Sequence, residues 1–176
     1  MVVMDSTVLL LLLDPAAKPP KNLDTQTPLD RSQERIEWLL QTLSESGVQI
    51  MIPTPVLSEI LVATGPNKAD ILNQINQVYA FKIQPFDEIA AIEVALLTDH
   101  DLQSHRKLSA EETKAKVKYD RQIIAIAKVN RVKTLYSDDL QLGRKARENG
   151  LTVISTTELP LPPHPPQCEL SWTGRD

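Results

Sequence analysis

The 176-residue sequence contains a single cysteine. Cys168 can form no intramolecular disulfide and cannot build a cysteine-based zinc site. Histidine is nearly as scarce: His100, His105 and His164 are too few for most histidine-built metal centres. A metal here would have to be held by carboxylates, which favours Mg²⁺ or Mn²⁺ over zinc. Aromatic residues make up 4% of the chain, so extensive base stacking is excluded. The five glycines complete neither GxxxxGK[ST] nor GxGxxG, which removes the Walker loop and the dinucleotide fingerprint. Long hydrophobic runs are also missing. The apolar run over residues 8–13 has no basic residue before it and is closed by Asp14. It is too short for a membrane span and lacks the flanks of a signal peptide. A cytoplasmic protein with no membrane partner is the expectation.

What is present is ordinary for one globular domain: 41% apolar and 24% charged residues, enough chain to bury a sizeable core. Proline is the exception, with 13 residues, and nine of them punctuate two segments. Pro15, Pro19, Pro20 and Pro28 mark a loop over residues 14–29. Pro160, Pro162, Pro163, Pro165 and Pro166 break any regular helix or central strand. The expected organisation is a domain over 1–156 and a Pro-rich tail over 157–176, extended or disordered.

Between these segments helix and strand patterns alternate. Residues 2–4 read as a short strand. Residues 30–46 read as a helix with Ile36, Leu39, Leu40 and Leu43 on one face, an Asp30/Gln33 capping box and a Gly47 stop. Residues 48–52 read as a buried strand, and Thr54-Pro55 as a helix start with the hydroxyl as cap. Helices follow over 67–80 and 87–97, with a short strand over 81–83. Ser109 and Glu112 form a capping box before a helix reaching Val129. A strand over 132–136, a helix over 139–149 stopped by Gly150, and a strand over 151–154 complete the pattern. Such alternation implies an α/β fold, three layers deep, with a mostly parallel central sheet of four to five strands. Ligands of such sheets gather at the carboxyl ends of the strands. Asp5 and the Ser137-Asp138-Asp139 run stand directly after strands.

Several acids sit where apolar patterning disfavours them. Asp5 is bracketed by apolar runs, a costly position unless it is paired, metal-bound or capping the next helix. Glu59 is the only charge between Ile50 and Ala63, so it faces either a narrow polar stripe with Ser58 or a cleft. Asp120 shares a helix face with Ile123, Ile124 and Ala127, continuing the apolar stripe unless an ion pair with Arg121 or a lysine satisfies it. Asp138 and Asp139 are two acids at one helix start, where one cap suffices and like charges sit best near a cation. Three or four converging carboxylates suit a hard divalent metal, and such a metal supports phosphodiester hydrolysis.

These motifs, in this order, resemble a PIN domain, and in size the chain is similar to a VapC-type toxin ribonuclease. The matching residues are Asp5-Ser6 after the first strand and Glu59 in an apolar early helix. They continue with Asp120 opening Asp-Arg-Gln-Ile-Ile-Ala-Ile-Ala, and Ser137-x-Asp139 before a helix, Gly150 and a last strand. The match runs over residues 2–154. The resemblance implies Asp5, Glu59, Asp120 and Asp139 as catalytic acids. Asp5, Asp120 and Asp139 would bind Mg²⁺ or Mn²⁺ with Asp138 as alternative or supporting ligand, and Ser6 and Ser137 would support them by hydrogen bonds. It further implies metal-dependent cleavage of RNA, a small antitoxin occluding the cleft if the chain is a toxin, and a homodimer. Thr7 stands where many members carry Asn, and Gln141 where a further Asp is common. Residues 98–118 form a longer stretch than in compact toxins.

The overall charge of −4 hides an uneven distribution. Residues 105–147 carry +7 and the remainder −11. Setting aside Asp5, Glu59, Asp120, Asp138 and Asp139 leaves the rest of the chain at +1. A basic stretch holding three of these acids suits phosphate positioning, and Lys118, Arg121 and Arg144 are its expected RNA contacts. Two other readings compete: a catalytically silent PIN-fold module that binds RNA or protein, and a haloacid-dehalogenase-like phosphatase. The phosphatase motif needs an acid two residues after Asp5, where Thr7 stands.

Overall fold

In a computed structural model the chain is described over residues 1–14, 16–22, 25–103 and 114–163. Cys168, His105, His164, the Ser109/Glu112 capping box and the tail beyond residue 163 lie outside the described residues.

Five short strands form one sheet: β1 (Val2–Met4), β2 (Ile50–Pro53), β3 (Phe81–Gln84), β4 (Thr134–Tyr136) and β5 (Thr152–Ile154). Every pairing is parallel and the order is β3-β2-β1-β4-β5. The helices are α1 (Ser6–Leu13), α2 (Ser32–Glu45), α3 (Thr54–Ala63), α4 (Lys68–Gln77), α5 (Glu88–Gln103), α6 (Lys114–Val129) and α7 (Leu140–Glu148). Helices flank the sheet in a three-layer α/β/α arrangement, as the alternation implies. Among the described residues, no helix is long and apolar enough to cross a membrane.

The inner strands are apolar on both faces because helices cover both. Val3, Met4, Ile50, Met51, Ile52 and Leu135 are fully buried. α1 follows the same logic: Ser-Thr-Val-Leu-Leu-Leu-Leu-Leu has almost no polar face, and Val8, Leu9, Leu11 and Leu13 are buried. α7 is the opposite case, with Leu142, Gly143 and Ala146 buried and Lys145 and Arg147 in its last turn, where cations complement the helix dipole. Gly47 (φ +64°) and Gly150 (φ +83°) follow α2 and α7, supplying the left-handed turn that stops each helix.

Several local expectations need correction. α2 starts at Ser32, and no Asp30/Gln33 capping box forms. Arg31 occupies the position before the helix in a left-handed conformation (φ 52°), without a side-chain cap. Its guanidinium pairs with Glu34 instead. Thr54 does not cap α3; its hydroxyl accepts from the Phe86 N–H at 3.0 Å, tying α3 to the end of β3. The helix expected over 67–80 is shorter, because a 3₁₀ turn at Gly65–Asn67 precedes Lys68 and α4 ends at Gln77. Packing also passes the expected boundary at 156. Thr156 and Leu159 are buried, and the Leu159 carbonyl accepts from Arg35.

Candidate functional site

The strand order reverses direction at β1: β2 and β3 lie on one side, β4 and β5 on the other. Crevices open at the carboxyl ends of strands at such a switch point. The two chain segments leaving that crevice are Asp5-Ser6-Thr7 after β1 and Ser137-Asp138-Asp139 after β4. The backbone locks them side by side, with Asp5 N–H donating to the Tyr136 carbonyl at 3.0 Å.

Asp5 precedes α1 but does not cap it with its side chain. Its carboxylate is turned to the hydroxyls of the crevice. Ser137 Oγ donates to Oδ2 at 2.9 Å and Thr7 Oγ1 donates to the same oxygen at 3.1 Å. Each hydroxyl is used twice. Ser137 Oγ also accepts from the Asp139 N–H, and Thr7 Oγ1 from the Asp138 N–H. Ser6 Oγ donates to Glu59 Oε2 at 2.8 Å, with Asp5 Oδ1 3.4 Å away. Glu59 thus faces the crevice from α3. Burial pushes the Asp5 carboxyl up to about 6, against hydrogen bonds that oppose the rise.

Asp120 enters from α6 and is 4% exposed. Burial raises its pKa, opposed by Lys145, whose Nζ lies 3.2 Å from Oδ2. Asp139 caps α7: Oδ1 accepts from the N–H groups of Gln141 (2.8 Å) and Leu142 (3.1 Å). Its Oδ2 pairs with Lys116 at 2.8 Å. Burial alone would raise Asp139, but Lys116 and the two N–H groups outweigh it and hold the carboxyl below its usual range.

Asp5, Glu59, Asp120 and Asp139 line one small pocket of about 180 Å³, together with Ser6, Thr7, Lys116 and Tyr119. Ser137 stands behind Asp5 as its donor. Asp138 is not brought to this pocket. Its two oxygens accept from the Thr156 N–H (2.7 Å) and hydroxyl (2.6 Å), so this acid fastens the segment after β5. Lys118 and Arg144 are exposed and Arg121 is half-buried; none of the three lines the pocket. The cations beside the acids are Lys116 and Lys145, and the third hydroxyl is Thr7. Sequence reading had not singled out these lysines. Their position in the basic stretch was the available signal, since Lys116 lies one helical turn before Asp120.

The donor set is all hard oxygen, the type that Mg²⁺ and Mn²⁺ take. As the side chains stand, no three His, Cys, Asp or Glu side chains among the described residues are close enough to hold a metal ion. Lysine ammonium groups instead neutralise two of the carboxylates.

The fold is PIN-like. No protein-family model matches the chain, and no curated protein matches it significantly. Solved structures do match. FitAcB from Neisseria gonorrhoeae is 19% identical with a TM-score of 0.58, covering 90% of this chain and 100% of its own. VapBC2 from Rickettsia felis, bound to a DNA fragment from its promoter, is 14% identical with a TM-score of 0.57, covering 88% and 98%. DNA-bound VapBC from Salmonella typhimurium is 11% identical with a TM-score of 0.56, covering 89% and 99%. At these identities the likeness establishes the fold.

Proposed function

We propose that the chain is a Mg²⁺- or Mn²⁺-dependent endoribonuclease of the PIN type, acting as the toxin of a toxin–antitoxin pair. The observation that carries this reading is the meeting of Asp5, Glu59, Asp120 and Asp139 around one pocket from four distant parts of the chain. Gathering four acids around one pocket is costly even where lysines pair with two of them, and perturbed acids cluster at functional sites. The structural neighbours are toxin–antitoxin complexes, which supports an antitoxin as partner. Ile89, Ile92 and Leu96, exposed along one side of α5, offer a surface for the expected homodimer.

Asp5, Asp120 and Asp139 would hold the metal, with Glu59 reaching it through the pocket. A bound divalent ion would supply charge stabilisation at the scissile phosphate and a more acidic water. The protein's own part is to keep Asp5 and Asp139 oriented through Ser137 and Thr7, and to hold Glu59 through Ser6. Glu59 would accept a proton from an attacking water. Lys116 and Lys145 neutralise Asp139 and Asp120 in the absence of another cation. Lys116 is the more exposed of the two. Hydrolysis would leave a 5′-phosphate and a 3′-hydroxyl.

The test pairs activity with stability. Wild-type protein should cut single-stranded RNA only with Mg²⁺ or Mn²⁺, and a folded Asp5→Asn/Asp120→Asn variant should lose cleavage. Metal at about 100 times its Kd should stabilise the wild type by about 2.7 kcal/mol and leave the double variant unmoved. A double variant that cuts at the wild-type rate, or a metal-independent cleavage, refutes the proposal. A silent RNA- or protein-binding module would bind its partner without any metal-dependent cleavage.

A further inference from the structure

Two lysines serve the acids of the pocket, and they do so unequally. Lys145 pairs with Asp120 at 3.2 Å, and its side chain is only 13% exposed. Lys116 pairs with Asp139 at 2.8 Å, lines the pocket itself and is 44% exposed. It also stands four residues before Asp120 on α6, so the two side chains share a helix face. One ammonium therefore answers to three carboxylates. The hydrogen bond to Asp139 raises the Lys116 pKa most, burial opposes it, and the charges of Asp139, Asp120 and Asp5 raise it further. These acids come from three separate places: the end of β1, the middle of α6 and the start of α7. They are the same three that a divalent ion would need.

The oxygens of Asp139 decide what such an ion meets. Oδ1 accepts from the N–H groups of Gln141 and Leu142, which are fixed in the backbone of α7. Oδ2 is the oxygen left for another cation, and the Lys116 ammonium is on it. Two cations crowded onto one carboxylate oxygen repel each other, the more so in a half-buried site. Lysine is a point charge on a flexible four-carbon stem. At 44% exposure Lys116 has solvent to move into, whereas Lys145 is closed in.

We infer that Lys116 is a built-in competitor for the metal: its ammonium holds the acids together in the metal-free protein and must leave Asp139 before a divalent ion binds. The inference rests on the metal-dependent endoribonuclease reading of this pocket and adds what sets the pocket's readiness. Binding becomes an exchange between an ion and one of the chain's own side chains. The protein is loaded only where the ion is concentrated enough to displace that side chain.

The experiment reads metal binding directly, on the full chain. Mn²⁺ affinity comes from the electron paramagnetic resonance signal of the unbound ion. Mg²⁺ binding is followed by NMR of lysine side chains labelled at Cε, with Lys116→Arg assigning the Lys116 resonance. Lys116→Met should bind Mn²⁺ about 2–5-fold more tightly than the wild type, the factor that a partly exposed ion pair contributes. Lys116→Arg keeps the charge and should bind as the wild type does. Mg²⁺ should move the Lys116 resonance toward that of an exposed lysine, a change that a purely structural ion pair would not show. Thermal melts should find both variants folded, since Lys116 is exposed. Equal or weaker Mn²⁺ binding by Lys116→Met, or a Lys116 resonance that Mg²⁺ leaves unmoved, overturns the inference alone and leaves the endoribonuclease reading standing. Binding by Lys116→Met with none by the wild type supports the competition and overturns the metal-dependent reading of the wild type. Absence of Mn²⁺ binding in both proteins overturns both.

Discussion

Replacing Asp5 by Asn should make the metal-free protein more stable at neutral pH. The carboxyl is 3% exposed, and burial lifts its pKa from 3.8 to about 6. The folded state therefore holds this proton more tightly than the unfolded state. Protonation of Asp5 favours folding fully below pH 3.8, and that contribution is lost as pH rises through 6. At pH 7 the loss is about 3 kcal/mol, at about 1.36 kcal/mol per unit. Asn carries no charge and is spared it. Asn also replaces one acceptor oxygen with a donor, disturbing the Ser137 and Thr7 hydrogen bonds at a cost of about 1 kcal/mol. The variant should gain about 1–2 kcal/mol at pH 7, or about 2–8 °C in Tm for a chain this long. Below pH 4 only the hydrogen-bond cost remains, so the variant becomes the less stable protein. Thermal melts of both proteins in EDTA from pH 4 to 7.5 should give stability curves that cross. Acids that do not interact with Asp5 titrate alike in both proteins and drop out of the difference; Glu59, whose charge helps to raise Asp5, adds to it. Parallel curves, or a variant less stable at pH 7, would refute the reasoning that Asp5 is a strained, function-bearing charge.

Two further substitutions separate neighbouring roles. Asp138→Ala should lose about 1–3 kcal/mol in denaturant melts, because Thr156 N–H and hydroxyl lose their acceptor; metal-induced stabilisation should persist, whereas Asp139→Ala should abolish it. Lys145→Met removes the partner of Asp120, so its carboxyl should titrate higher still; NMR titration of the Asp120 carboxyl, or a Tm that falls more at pH 7.5 than at pH 5, checks it.

Element types were legible because the apolar patterning was strong, and the parallel sheet followed from the alternation of strands with helices. Errors came where a residue took a partner other than the local cap its motif suggests. Thr54 suits a local cap, yet its hydroxyl is taken by Phe86, 32 positions away. Asp30 suits a capping box, yet Arg31 turns left-handed and closes on Glu34. Asp5, Glu59 and Asp120 stood out because each interrupted an apolar run, and Asp139 because two acids share one helix start. Lys116 and Lys145 did not, because a lysine in a basic helix is unremarkable until its partner is known. Asp138 and Asp139 are indistinguishable as letters. The backbone at a strand end sends them to opposite tasks, one toward Thr156 and the other toward α7 and Lys116.

The position of β1 has a consequence for timing. It is the middle strand, and Asp5 meets its donor Ser137 across 132 positions of chain. At about 5–20 residues per second, roughly 7–26 s of synthesis separate the two residues. Until β4 emerges, the first strand lacks a neighbour on one side and Asp5 lacks its main support. The crevice is therefore completed only once the segment after β4 has been made, long after Asp5 itself.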